Sequence, residues 1–166
     1  QLELAKRQIG MEAIRSVPPR QVTRDRTVEL DFGGIAKGYA ADKALELLRT
    51  NYGLTRALID ASGDLVAGDP PPEKPGWIVG LSKPEGTAGL LQRIYLKRQA
   101  LASSGDSTQF LQVDRQRWSH LLDPVSGEPI HGQNLTLVLA PSGATADALA
   151  SALAVCPEHA FEAIAT

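Results

Sequence analysis

Three stretches of the chain combine residue types able to handle a phosphate, a cation and a proton. The first is Asp31-Phe-Gly-Gly-Ile-Ala-Lys-Gly-Tyr39, in which two glycines separate a strand-like run from a helix-like one. Glycine lets the backbone turn sharply and approach a ligand closely. A helix N-terminus offers N–H donors and a positive dipole end to an anion. Lys37 adds a mobile positive charge, so the set suits a phosphate or pyrophosphate. The plainer alternative is a tight strand-to-helix turn with a solvated lysine. Three familiar patterns do not apply. Gly38 follows Lys37 where a Walker A loop needs Ser or Thr. The glycine spacing is not that of a dinucleotide fingerprint. Asp31-Phe-Gly33 mimics a kinase triplet, but the kinase catalytic loop and strand lysine have no counterpart.

The second stretch is Ala146-Asp-Ala-Leu-Ala-Ser151. On a helix, residues four apart share a face, so Asp147 and Ser151 point the same way. A carboxylate beside a hydroxyl is a pair of hard oxygen donors, suited to magnesium or calcium rather than zinc. Asp147 could equally be a first-turn acid favoured by the helix dipole. The third is Trp118-Ser-His-Leu-Leu-Asp-Pro-Val-Ser-Gly127, where His120 can exchange a proton near neutral pH or serve as a structural hydrogen-bonder. Asp123-Pro-Val-Ser-Gly127 reads as a turn. Ala102-Ser-Ser-Gly-Asp106 reads as a small-residue loop with no specificity of its own.

The elements that must position these residues follow from periodicity. Gln1–Arg7 reads as the tail of a helix already under way, so the chain is expected to be part of a longer protein. Strands are expected at Glu12–Val17, Thr27–Phe32, Arg56–Asp60, Trp77–Leu81, Leu90–Leu96, Phe110–Val113, Trp118–Leu122 and Leu135–Leu139. Turns fall at Pro18-Pro19 and Ala61-Ser-Gly-Asp64, and Asp69–Gly76 is a stiff surface loop. Ala40, Ala44, Leu47 and Leu48 recur at helical spacing within a helix over Lys37–Thr50, which Asn51 and Gly53 can end. Two further helices are expected at Thr145–Val155 and Glu158–Ile164. Strands and helices do not alternate strictly, which argues against a doubly wound parallel sheet. The expected class is α+β, with mixed, mainly antiparallel sheets packed against helices, in a single domain over residues 1–166.

Composition narrows the function. The 17 basic and 19 acidic residues give a net charge of -2 with no basic block, and aromatics make up only 5%. Neither an electrostatic footprint nor stacking platforms for nucleic acid are present. One cysteine, Cys156, allows no internal disulfide and no cysteine-rich metal site, and its apolar setting suits packing. No apolar run is long enough for a transmembrane helix, and no signal peptide is visible.

In this order the motifs resemble the FAD:protein FMN transferases of the ApbE-like family. The resemblance runs from Asp31–Tyr39 through Ala61–Asp64 with Trp77, Ala102–Asp106, Ser119–Pro124 with Gly127, to Ala146–Ser151. It spans nearly the whole chain, but only the latter half or so of a typical member, so the C-terminal portion is implied. It implies a fold related to the T-fold and a magnesium-dependent enzyme that splits FAD, passes FMN to a threonine hydroxyl of an acceptor protein, and releases AMP. The acceptor would typically be a subunit of a membrane redox pump, and the setting the periplasmic or outer cell-surface side. Carried over by position, Asp31 and Lys37 contact FAD, and the backbone near Leu122 holds the flavin. The metal takes the Gly34 carbonyl, Asp147, Ser151 and the Ala150 carbonyl, with His120 and Asp147 as catalytic candidates. Ser151 and Ser103 stand where the family usually has Thr, Ser62 where Gly is common, and Val125 where a basic residue is frequent. Hydrolysis of FAD to FMN and AMP, or flavin binding without turnover, are the alternatives.

Overall fold

The computed structural model describes residues 10–82, 90–105, 110–114, 116–130 and 135–156. The expected helices over Gln1–Arg7 and Glu158–Ile164, and Asp106 of the small-residue stretch, lie outside the described residues. The elements in chain order are β1 (Ile14–Val17), β2 (Gln21–Arg24), α1 (Ala36–Tyr52), β3 (Leu58–Ala61), β4 (Asp64–Ala67), β5 (Trp77–Ser82) and β6 (Leu90–Leu96). They continue with β7 (Ala100–Gly105), β8 (Phe110–Val113), β9 (Gln116–Ser119), β10 (Leu135–Ala140) and α2 (Gly143–Val155). A 3-10 turn over Met11–Ala13 precedes β1, so the strand expected from Glu12 begins only at Ile14.

The site rests on a four-stranded antiparallel sheet in the order β10-β7-β4-β3. Side chains alternate across a strand, and here the two faces differ in bulk. Val66, Ala100, Ala102, Val138 and Ala140 face the two helices, meeting Ala41, Ala146 and Ala150 in a core built mostly of alanine. Leu65, Ala67, Leu101 and Leu137 face the other way, onto the β5–β6 hairpin with Trp77, Val79, Ile94 and Leu96. Small residues on one face let the helices lie close, while the large apolar payload sits on the other.

The helices also fix each other by polar contacts. Asp42 of α1 accepts from the N–H groups of Gly143 (2.7 Å) and Ala144 (2.9 Å) at the start of α2. Ser142 accepts from Thr145 N–H at 3.2 Å, so the first-turn donors of α2 are satisfied. In the reverse direction, Asp147 of α2 accepts from Gly38 N–H in the first turn of α1 at 3.0 Å. Each helix caps the other. The crossing is close enough that a Cβ at Gly38 would lie 2.0 Å from the Gly143 carbonyl oxygen, so glycine is required there. At its far end α1 stops at Gly53, whose φ of 65° is left-handed.

The α+β class and the antiparallel pairing hold, but several local expectations do not. Thr27–Phe32 forms no strand: only Val28 of its alternating apolar set is buried, and Leu30 and Phe32 are more than half exposed. The period-2 pattern had no neighbouring strand to pair with among the described residues. Ala102–Gly105 is not a loop but part of the inner strand β7, paired with β10 from Leu135↔Gly105 to Ala140↔Ala100. Ala102 fits the space under the helices, whereas Ser103 is exposed at the end of the sheet. Trp118–Leu122 is a strand only as far as Ser119, because the Ser119 hydroxyl accepts from Leu121 N–H at 3.1 Å and bends the chain. Strands β2 and β4 were not expected. All of β2 is exposed, and β4 is too short to show a pattern.

Candidate functional site

The turn after Asp31 is tightly self-satisfied. Asp31 Oδ1 accepts from Gly33 N–H at 2.7 Å, and the Phe32 carbonyl accepts from Ile35 and Ala36 at 3.0 and 2.8 Å. With Gly38 N–H taken by Asp147, the donors at the start of α1 that keep no partner among the described residues are those of Gly34 and Lys37. The helix N-terminus therefore offers fewer free amides than its sequence suggested. Gly34 backs directly onto α2, since a Cβ there would lie 3.0 Å from the Ser151 hydroxyl.

A cavity of about 700 Å³ opens beside this turn. Asp31, Gly34, Lys37, His120, Leu122, Asp147 and Ser151 all line it, brought together from three stretches far apart in the chain. The sheet contributes Ser62, Ser103, Ser104 and Gly105. Ala150 is the exception among the candidates. It is fully buried in the alanine core and does not line the cavity.

Asp147 is 3% exposed, yet its one hydrogen bond among the described residues is from Gly38 N–H to Oδ2. Asp147 also lines the cavity, so its carboxylate can take a cation there as a second partner. Lys37 does not supply that cation, because its ammonium pairs with Asp64. With Ser151 Oγ one turn away, the donors are hard oxygens that fit a hard divalent cation. No group of three or more His, Cys, Asp or Glu that could hold a metal ion occurs among the described residues.

The three serines line the cavity without having carried an individual role in the sequence, and Asp64, which does not line it, reaches it through Lys37. Asp64 lay in a stretch read as a turn, and only the fold shows it paired with Lys37. Across the cavity, Leu122 bridges Pro129, and Asp123 organises the rim turn. Its Oδ1 accepts from Val125 N–H at 2.7 Å and Ser126 N–H at 3.3 Å, and its carbonyl accepts from Gly127 at 2.7 Å. The Val125 and then the Ser126 amide hold its carboxyl below the ordinary value of 3.8. A depressed pKa means the turn gains stability above the unfolded value and loses it as pH falls through the folded one. The amide shifts of Val125 and Ser126 should thus move together in acid, below pH 3.8, in an NMR titration. In Asp123→Asn, which keeps an acceptor but no titrating group, that movement should vanish.

A glycine turn opening one helix, a buried carboxylate and hydroxyl on a second, and a serine-lined sheet end define an α+β protein with one polar cavity shared by all three. The chain belongs to the ApbE family, whose pattern residues 1–166 match. It is 36% identical over 135 residues to the FAD:protein FMN transferase of Treponema pallidum (strain Nichols), covering 75% of this chain and 37% of that protein. It is 33% identical over 127 residues to a FAD:protein FMN transferase of Klebsiella pneumoniae (strain 342), covering 69% and 38%. Among solved structures, the ApbE protein of Thermotoga maritima superposes with a TM-score of 0.83 at 34% identity, over 93% of this chain and 50% of that one. The flavinyl transferase ApbE of Pseudomonas stutzeri gives 0.78 at 28% identity, over 92% and 47%. The chain spans less than half the length of these curated relatives.

Proposed function

We propose that the cavity serves the transfer of FMN from FAD to a threonine hydroxyl of an acceptor protein, with release of AMP. The observation that carries this reading is the meeting of Asp31, Lys37, His120, Leu122, Asp147 and Ser151 on one cavity wall. Phosphoryl-type transfer needs positioning and charge neutralisation more than covalent help from the protein. Lys37, with the N–H groups of Gly34 and Lys37, offers donors to the pyrophosphate oxygens. Leu122, 55% exposed on the rim, presents apolar surface to the flavin. Asp147 and Ser151, with the Gly34 carbonyl, would hold magnesium, which when bound neutralises negative charge on the pyrophosphate. The threonine oxygen bonds to the FMN-side phosphorus, the bond to the AMP oxygen breaks, and His120 accepts the hydroxyl proton. General-base help of this kind is worth roughly 100- to 10,000-fold. No helix among the described residues is long and apolar enough to cross a membrane. The acceptor, in this reading, is a subunit of a membrane redox pump facing the periplasm or cell surface.

The test is incubation of this chain, and of a version extended to the length of its relatives, with FAD, magnesium and a threonine-bearing acceptor domain. The expected result is FMN on the acceptor by mass spectrometry and an equal amount of AMP. Free FMN and AMP without attachment would replace transfer by hydrolysis. Neither product from either version would leave flavin binding without catalysis.

A further inference from the structure

Asp64 is 1% exposed, the most deeply buried ionisable side chain among the described residues. It begins β4 directly after the two-residue turn Ser62-Gly63, and alternation along the strand puts it on the helix face with Val66. Two donors from separate elements converge on it. Ser103 N–H of β7 donates to Oδ1 at 3.3 Å, and the Lys37 ammonium of α1 pairs with Oδ2. Lys37 itself remains 44% exposed and lines the cavity.

The chemistry of the pair is asymmetric. A buried carboxylate must be compensated, and here an amide and an ammonium do so together. An ammonium has three donors. With one held by Asp64, two are left, on a stem that no longer samples the many rotamers of a free lysine. We propose that Asp64 is a positioning residue that tethers Lys37 at the cavity wall and so pre-orders its ammonium for a pyrophosphate. Lys37's contact with the pyrophosphate rests on the function proposed above, whereas its tether to Asp64 does not. Asparagine cannot replace Asp64 silently. It has one acceptor end and one donor end, so one of the two donors must face an NH2 group.

The deciding experiment compares the parent chain with Asp64→Asn by 15N relaxation of the lysine ammonium groups, without ligand. In the parent, the Lys37 ammonium should be more ordered than that of Lys43, whose ion pair with Glu46 is half-exposed. In Asp64→Asn it should fall to the surface-lysine level while the backbone amide spectrum of α2 is kept. Equal mobility of Lys37 and Lys43 in the parent overturns the proposal, even if the variant does not fold. Unchanged Lys37 order in a folded variant overturns it too. In the second arm, magnesium and FAD are titrated against parent, Asp64→Asn, Lys37→Gln and the double variant. FAD affinity should drop about tenfold in Asp64→Asn, the scale of one hydrogen bond to a charged group. The double variant should be no weaker than Lys37→Gln, and riboflavin, which lacks phosphate, should bind parent and variant alike. Additive losses would place Asp64 outside the action of Lys37. Failure of both the parent and its version extended to the length of its relatives to bind FAD would sink the proposed function, while the relaxation data would still decide the role of Asp64.

Discussion

In the reaction proposed above, Asp147→Asn should eliminate magnesium-dependent release of AMP from FAD while leaving the fold close to intact. The asparagine amide keeps an acceptor for Gly38 N–H, which now reaches Asp147 Oδ2 at 3.0 Å, so the contact between the helices survives. What is lost is the negative charge in a position only 3% exposed, where a cation would be held. Loss of metal stabilisation of a developing charge is worth several kcal/mol, and about 3 kcal/mol already means a rate lower by more than 100-fold. Asp147→Ala should show the same kinetic loss together with a fall in Tm, because Gly38 N–H is then left without its partner. The pair of variants separates the charge from the cap. An Asp147→Asn protein with undiminished magnesium-dependent turnover would remove the metal role from this residue.

Gly38→Ala should be among the most damaging substitutions in the chain, although it adds one methyl group. The added Cβ would lie 2.0 Å from the Gly143 carbonyl oxygen and 2.8 Å from Asp147 Cβ. Backbone atoms cannot swing aside as a flexible side chain can, so the helices must part. Overpacking of this kind costs about 3 kcal/mol or more, roughly 10 °C in Tm for a chain of this size. Separation would also pull Asp147 from the turn that carries Gly34 and Lys37. Thermal unfolding followed by circular dichroism measures the effect. A Tm within about 2 °C of the parent would mean that the crossing is looser than described. Gly53→Ala is a useful contrast, because its surroundings are open and only the φ of 65° opposes a side chain.

The parts of this architecture that depend on neighbours in sequence were legible in it. The helix expected over Lys37–Thr50 forms over Ala36–Tyr52, because its alanines and leucines repeat every three to four residues and Gly53 ends it. The one expected over Thr145–Val155 starts two residues earlier, at Gly143, since the Ser142 cap and Asp42 satisfy its first amides. Strand identity was less legible wherever pairing is decided at a distance. Thr27–Phe32 alternates well but has nothing to pair with among the described residues, whereas Ala100–Gly105 shows little pattern and sits in the middle of the sheet. The same limit governs the site. Motif order brought Asp31, Lys37, His120, Leu122, Asp147 and Ser151 to one cavity. Asp64 and Asp42 act through partners 27 and more than 100 residues away, and no local spacing announces such contacts.

Two bonds pointing in opposite directions behave differently from two bonds pointing the same way. With Asp42 gripping the start of α2 and Asp147 gripping the start of α1, sliding either helix along its axis stretches one grip or the other. Rotation about the crossing is opposed by the glycine contact between them. The helical wall of the cavity is therefore a fixed anvil. Adjustment to ligands of different shape then falls to the opposite rim, formed by the Leu122–Pro129 bridge and the Asp123 turn. In the function proposed above, selectivity among flavins should accordingly respond to substitutions at 121–130, and transfer to substitutions at His120 and on the helices.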